Sequence, residues 1–99
     1  MQVRLVQEET ARYDRPMFLN EYFIVFPEGD VQEIQGRLSL NAIVDINGNP
    51  LDLPLKTNRM IAFRVSRIKV HENRGGNETL HFLELLSAQE LLSYTGNRP

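Results

Sequence analysis

The sequence feature that most constrains the fold is a pair of alternating runs of apolar and polar residues joined by a glycine turn. Residues 60–71 (MIAFRVSRIKVH) form the first run, and residues 78–85 (ETLHFLEL) return after an Arg-Gly-Gly-Asn turn. Alternation with a period of two is typical of a strand, and two such runs around a glycine turn predict a β-hairpin. The apolar positions of the first run change phase near Ser66 and Arg67, which predicts a β-bulge or a sharp bend there.

Other short segments also have the composition of strands. They are rich in β-branched and aromatic residues and end at turn signals: residues 3–7, 17–26, 31–46 (one long strand or two) and 51–55. The Asn47-Gly48 pair predicts a hairpin turn, since both residues tolerate positive φ. Pro54 lacks a backbone donor, so the segment that contains it is expected to be an edge strand.

The C-terminal stretch has the pattern of a short helix. Ser87 and Glu90 have the spacing of an N-terminal capping box, and Leu86 and Leu91 occupy the positions of a hydrophobic staple. One or two helical turns are not stable alone in water. We therefore expect this helix to pack against the sheet and to close one mouth of it.

The order of these elements predicts a mainly β protein. About six short strands, with no alternation of strands and helices, indicate a small six-stranded antiparallel barrel with a short C-terminal helix. The predicted bulge suits a barrel because a barrel strand must turn a corner. Leu38, Leu53 and Phe63 are expected to point into the interior. A chain of 99 residues suits a single domain, residues 1–99.

Composition excludes several classes of protein. The formal charge of −2 argues against a general binder of nucleic acids or membrane surfaces, which would normally be basic. The absence of cysteine excludes disulfides and thiolate metal sites, and it favours a reducing compartment, so we expect a cytoplasmic protein. No apolar run approaches the roughly 20 residues that a membrane-spanning helix needs.

Signatures of catalysis are missing from the sequence. It contains no GxSxG, P-loop, GxGxxG or HExxH motif, and its carboxylates are spread through turns and polar strand positions. We therefore expect a protein that is not an enzyme and that needs neither a cofactor nor a metal.

Two histidines flank the hairpin turn, and their relation depends on its register. With a two-residue turn, His71 and His81 point to opposite faces of the sheet; with a three-residue turn they become cross-strand neighbours. Only the second arrangement would suit a metal site. Two independent histidines are the favoured interpretation.

Basic residues cluster along the same hairpin. They are Arg64, Arg67, Lys69 and Arg74. Arg64 does not share a parity with the next two cations, although the predicted bulge could bring them onto one face. Such a row is either ordinary solubilising charge or a binding surface for phosphate or nucleic acid.

Three segments together resemble the PilZ domain family. An arginine-bearing loop precedes an extended strand in ARYDRPMFLNEYFIVF, and GRLSLNAIVD occupies the place of the family's Asp/Asn-x-Ser-x-x-Gly turn. IAFRVSRIKV and LHFLELLSAQELLSY are similar to the family's closing hairpin and helix. The likeness spans residues 10–95. It implies a six-stranded antiparallel barrel with a C-terminal helix, and many members of the family bind cyclic di-GMP.

The candidate ligand-binding residues are Arg12, Arg15, Arg37 and Ser39. The family's arginines follow an R-x-x-x-R spacing, whereas Arg12 and Arg15 are three positions apart. In the second motif Ser39 matches, but Arg37 stands in place of an acidic or amide residue and Ala42 in place of glycine. Glycine permits positive φ, so an alanine at that position is expected to be strained.

These departures favour a protein partner over a nucleotide. We expect a non-catalytic β-barrel that binds a protein in bacterial signalling or motility, a setting that only the resemblance implies. Two alternatives stay open: a cyclic di-GMP receptor that holds phosphates with Arg12, Arg15 and Ser39, and a barrel that binds nucleic acid through the hairpin cations. GRLSLNAIVDINGNP is interpreted as a strand that ends in an Asn-Gly hairpin.

Overall fold

A computed structural model describes residues 18–96 of the chain. Five strands and one helix are β1 (Leu19–Val25), β2 (Val31–Ile34), β3 (Ile43–Val44), β4 (Phe63–Asn73), β5 (Gly76–Leu85) and α1 (Ala88–Leu92). The strands form one sheet in the order β2-β1-β5-β4-β3, which curls into a half-barrel. The protein is therefore mainly β with a short C-terminal helix, as predicted.

The predicted hairpin and its bulge are confirmed. β4 and β5 pair along their whole length in antiparallel fashion, and the register shifts between Val65 and Arg67. Ser66 is the extra residue of the bulge, and its hydroxyl donates a hydrogen bond to the Phe82 carbonyl across the pair. The bulge moves the side chains that follow it by one position, which is the phase change seen in the sequence.

The predicted closed barrel of six antiparallel strands is wrong for residues 18–96. That part of the chain contains five strands, and β2 and β3 end the sheet without pairing to each other. The sheet also contains one parallel pair, because β1 runs parallel to β5. The strand predicted at residues 3–7 lies outside the described residues.

The segment that contains Pro54 does not form the predicted edge strand. Leu53 is 55% exposed, contrary to its predicted place in the core, whereas Leu55 is buried. The backbone N–H of Leu55 donates to the Tyr94 carbonyl at 2.8 Å, so the chain is tied to the segment that follows α1. Pro54 has no backbone N–H to donate to a neighbouring strand. The alternation of the leucines alone therefore predicted a strand that does not form here.

The segment 31–46 contains two short strands separated by a turn. Leu38 is buried as predicted, but Leu40 is 54% exposed because the backbone turns at Asn41, where φ is +71°. Asparagine tolerates this left-handed conformation better than most residues. The strain that we expected at Ala42 is absent, since the positive φ falls one residue earlier.

Two apolar clusters hold the domain together. The inner cluster fills the concave side of the sheet and comprises Ile24, Leu38, Val44, Phe63, Val65 and Leu83. The outer cluster lies under α1 and comprises Ile43, Leu55, Ala62, Leu86 and Leu91. The neighbours Ile43 and Val44 point to opposite faces of β3, so this short strand separates the two clusters.

The Asn-Gly turn was predicted correctly, and it packs inside the half-barrel. Asp45 accepts hydrogen bonds from the backbone of Asn47 and Asn49, at 2.8 and 2.9 Å. Gly48 has a φ of +82°, and a Cβ there would lie 3.0 Å from Ile34 and 3.1 Å from Ile24. Glycine is required by both the backbone conformation and the close approach.

The helix α1 begins with the predicted capping box. The Ser87 hydroxyl accepts from the Glu90 N–H at 3.1 Å, and the Glu90 carboxylate accepts from the Ser87 N–H at 3.0 Å. Leu91 packs in the outer cluster with Leu86, so α1 covers the outer side of β3 instead of closing a mouth of the inner core as we expected. In the part of the chain that the structure describes, no helix has the length and apolar character to cross a membrane.

Candidate functional site

The predicted ligand residues do not gather at one site in the described part of the chain. Arg12 and Arg15 lie outside the described residues. Arg37 lines a cleft of about 310 Å³, together with the end of β2 and the Asn-Gly turn. Ser39 is exposed and does not line that cleft; its carbonyl accepts from the Ala42 N–H in a turn.

The loop that carries Arg37 is positioned by a buried histidine that the sequence did not mark as important. His81 is 0% exposed and faces the concave side beside Ile24. Its Nε2 accepts from the Leu38 N–H at 3.0 Å, and its Nδ1 lies 2.8 Å from the Phe23 carbonyl. One nitrogen must therefore accept and the other donate, which fixes the neutral tautomer with the proton on Nδ1.

The edge of β2 next to this loop has free backbone groups. The Phe26 N–H donates to the Asp30 carbonyl at 2.8 Å, which makes these two residues a hydrogen-bonded pair. Bonded and non-bonded pairs alternate along an antiparallel ladder. The backbone groups of Val31 and Glu33 therefore point away from β1, and no strand among residues 18–96 pairs with them.

The end of this edge where β2 begins combines an apolar lining with two carboxylates. A cleft of about 410 Å³ lies between the start of β2 and the Asn-Gly turn, and its apolar lining is Phe26, Val31, Ile46 and Phe63. The rings of Phe26 and Phe63 meet edge to face, with centroids 5.4 Å apart. Ile46 is 54% exposed at this position. Exposed aliphatic side chains beside an aromatic floor suit an apolar anchor from another molecule.

The other end of the same edge is polar. Glu33, Ile34 and Gln35 line the cleft that holds Arg37, and they also line a second cleft of about 500 Å³ beside Asn20 and Tyr22. Three clefts therefore follow β2 from one end to the other. We call this surface the β2 groove and define it by residues 28, 30–37 and 46–50.

The charges of the β2 groove are unevenly distributed. Glu28 and Asp30 line the groove where β2 begins, and Glu33 lies on β2 itself. Arg37 is the cation at its polar end. The groove is therefore acidic along most of its length and has Arg37 at its polar end. This distribution of charge can distinguish a basic ligand from an acidic one.

The hairpin cations share the convex face of the sheet. After the bulge, Arg67 pairs with Phe82 and Lys69 with Leu80, and before it Arg64 pairs with Glu84. The bulge thus brings the three cations onto one face, as the sequence suggested. The Arg67 guanidinium lies 4.1 Å from the Phe82 ring centroid, which is a cation–π contact.

Arg64 is engaged in a network that attaches α1 to the sheet. Its Nε donates to Glu84 at 2.6 Å, and its Nη1 donates to the Tyr94 hydroxyl at 3.1 Å. Nη2 lies 3.5 Å from Glu90. The hydrogen bonds that Arg64 donates to Glu84 and Tyr94 raise its pKa further above the usual range, and this charge is therefore already paired within the domain.

The histidines do not form a pair. The hairpin turn has two residues, Arg74 and Gly75, so His71 lies opposite Glu78 and His81 opposite Ile68. These registers put the two imidazoles on opposite faces. Within residues 18–96 there is no group of three or more histidine, cysteine or carboxylate side chains placed to hold a metal ion.

Sequence reasoning predicted Arg12, Arg15, Arg37 and Ser39 as ligand residues; of these, Arg37 lines the β2 groove, and the rest of the groove was not predicted. The groove depends on which edge of β2 remains unpaired and on where the Asn-Gly turn packs, and neither has a local pattern. Two signals were available: the acidic PEGD turn that opens β2, and the isolated apolar Ile46 beside a predicted turn.

Comparison with known families found one informative match. A family model described as "Uncharacterised Treponema protein" matches residues 18–94, which is well over half of the chain. The match covers the whole sheet, α1 and the first two residues after α1. No curated protein and no solved structure matches.

Proposed function

Because the chain belongs to the family described as uncharacterised Treponema proteins, we propose a function from its surface: it is a non-catalytic module that binds a protein partner through the β2 groove. The single observation that carries this proposal is an edge of β2 that no strand of the described residues pairs, beside an exposed apolar cleft. A strand edge with unpaired backbone groups is a template for another chain.

The setting of this function comes from the sequence. The resemblance to PilZ domains supports a role in bacterial signalling or motility, and the absence of cysteine supports the cytoplasm as its location. The proposal does not need catalysis, and it assigns no catalytic role to any residue.

A cyclic di-GMP receptor is the first alternative. It would need several cations directed at one set of phosphates. Arg37 lines its cleft beside Glu33, and Ser39 does not line it. An acidic neighbour opposes the binding of a phosphate, so a protein partner is favoured over the nucleotide at this cleft.

Nucleic acid is the second alternative, and it would use the convex face. Arg64 is bound to Glu84, and Arg67 is stacked on Phe82. Two of the four hairpin cations are thus already engaged by neighbours. Binding of an oligonucleotide that weakens steeply with salt would favour this alternative, since phosphate contacts release counterions.

The test is a binding screen with three ligand classes. Purified full-length protein is titrated calorimetrically with cyclic di-GMP and with a mixed-sequence DNA oligonucleotide, and it is probed on an array of short random peptides. We expect peptides to bind and the other two ligands to give no heat at high micromolar concentration.

A matched pair of variants locates the binding site. Ile46→Ser changes an exposed residue inside the β2 groove, and Leu40→Ser changes one that is equally exposed, at 54%, outside it. Selected peptides should lose about tenfold in affinity with Ile46→Ser and keep it with Leu40→Ser. The proposal would be refuted if the protein bound no peptide on the array, or if the titration with cyclic di-GMP showed saturable binding.

A further inference from the structure

We infer that the partner contributes an extended peptide that joins the edge of β2 as an additional strand, with basic side chains on one face and aliphatic side chains on the other. This inference rests on the proposed function and specifies the chemistry of its partner. It follows from three features of the β2 groove: the unpaired backbone groups of β2, the position of the Asn-Gly turn and the distribution of charged side chains.

The backbone supplies the hydrogen bonds for such a strand. Val31 and Glu33 each direct an N–H and a C=O away from β1, as the alternation of the β1–β2 ladder requires. An extended segment placed beside β2 satisfies these groups in the way that a neighbouring strand would.

The Asn-Gly turn leaves room for the added strand. Gly48 lies against Ile34 and Ile24, which face the inner side of the sheet. The Gln32 amide, also on that side, donates to the Asn47 carbonyl at 3.4 Å. The turn thus lies below β2 and forms the floor of the groove, while the edge itself stays open.

The two sides of the groove select opposite kinds of side chain. On the inner side, a peptide residue meets the apolar cleft formed by Ile46 and Phe63. On the outer side it lies beside Val31 and Glu33, and where β2 begins it approaches Glu28 and Asp30. Because side chains alternate along a strand, aliphatic residues facing inward and basic residues facing outward complement both sides.

The probe is therefore a labelled KVKVKVKV peptide, titrated against the full-length protein by fluorescence anisotropy. Its control is EVEVEVEV, which keeps the strand pattern and reverses the charge. We expect saturable binding of the lysine peptide and binding at least about tenfold weaker for the glutamate peptide. The glutamate side chains would face the like charges of Glu28, Asp30 and Glu33.

Backbone pairing is tested on the peptide. One version is N-methylated at its lysine amides and another at its valine amides; both keep every side chain and the charge. In a strand the lysine amides point to one edge and the valine amides to the other. An added strand predicts that one version loses about tenfold or more in affinity and the other does not. Loss with the lysine version indicates antiparallel pairing to β2, and loss with the valine version indicates parallel pairing.

Backbone pairing is also tested on the protein. Glu33→Pro removes an N–H that points to the open edge and not to β1, so the strand should still pair with β1. Glu33→Gln removes only the charge and serves as its control. We expect Glu33→Pro to weaken peptide binding about tenfold beyond Glu33→Gln, with unfolding curves that report whether the variant is folded.

The outcomes separate this inference from the proposed function. If KVKVKVKV binds but tolerates both N-methylated versions equally, no strand is added and the inference is wrong, although a protein-binding module could still stand. If array peptides bind and respond to Ile46→Ser but KVKVKVKV does not bind, the partner's chemistry is wrong. If no peptide of any kind binds, both proposals fail.

Discussion

An important polar side chain lies beside each of the two apolar clusters, and its surroundings differ between the two. In the inner region His81 is fully buried, and each ring nitrogen has one backbone partner, on β1 and on the Leu38 loop. Beside the outer cluster Arg64 is half-buried and interacts with Glu84, Tyr94 and Glu90. A buried polar group needs every one of its partners, whereas partners of a surface charge can be replaced by water.

This difference assigns the two groups separate structural roles. His81 connects β5 to β1 and to the loop that carries Arg37, so it determines where one wall of the β2 groove lies. Arg64 connects the sheet to α1, far from that groove in sequence and on the other face of the sheet. Changes at His81 should therefore affect both stability and binding, and changes around Arg64 should affect only the attachment of the helix.

The largest effect is expected for His81→Ala. It leaves the Leu38 N–H without its partner in the interior, removes the hydrogen bond to the Phe23 carbonyl and opens a cavity, and we expect it to lower the free energy of unfolding by about 4 kcal/mol. Urea denaturation measures this value. His71→Ala is the control, since His71 is exposed and should change stability by less than about 0.5 kcal/mol. Equal effects of the two substitutions would show that His81 is not a structural cross-link.

A smaller effect is expected for Gly48→Ala. The new Cβ would meet Ile34 and Ile24 at the floor of the groove and would also occupy a positive φ, so we expect a loss of about 2 kcal/mol. Gly29→Ala is a matched control with a φ of +103° and nothing within 4 Å, and it should cost about 1 kcal/mol for the backbone alone. If both variants lose the same stability, the turn does not pack against the inner cluster.

The smallest effect is expected at Glu90, in the network of the outer cluster. Hydrogen bonds from Ser87, with a further contribution from Arg64, lower the pKa of the Glu90 carboxyl below its usual value. A lowered pKa in the folded state stabilises the protein above the pKa of the unfolded chain, and this contribution is lost as the pH falls through the folded value. Glu90 is exposed, so the effect should be far smaller than that of His81→Ala.

Urea midpoints measured at pH 7 and at pH 3 test this expectation. Wild type should lose slightly more stability than Glu90→Gln over this interval, because the glutamine has no carboxyl to protonate. Glu28→Gln, in the exposed turn before β2, is the control for a general change of charge. A Glu90→Gln variant whose stability falls as much as that of wild type would mean that the capping carboxylate contributes nothing.

Local patterns were sufficient to predict several elements. The phase change of the apolar positions around Ser66 located the bulge, and Ser87 and Glu90 located the start of α1. The Asn47-Gly48 pair located a turn. These features depend on backbone conformation and on neighbours within a few residues, which the sequence displays directly.

Other features could not be predicted because they depend on long-range contacts. The alternation of leucines around Leu53 has the same appearance whether or not a partner strand is present, and Leu53 proved to be exposed. The parallel pairing of β1 with β5 joins segments far apart in the chain. The sequence did not show which of the two histidines, His71 or His81, faces the interior. The strand register and the burial of His81 identify it.

The sequence by itself determined that this chain forms a mainly β domain with a bulged hairpin and a capped C-terminal helix, because period, turn residues and caps act locally. Only the tertiary structure decided that one edge of β2 is left unpaired by the other strands of residues 18–96, that the Asn-Gly turn forms a floor beside this edge and that His81 holds the adjoining loop. These properties arise from which strands pair and which side chains become buried, and burial is a property of the whole packed chain.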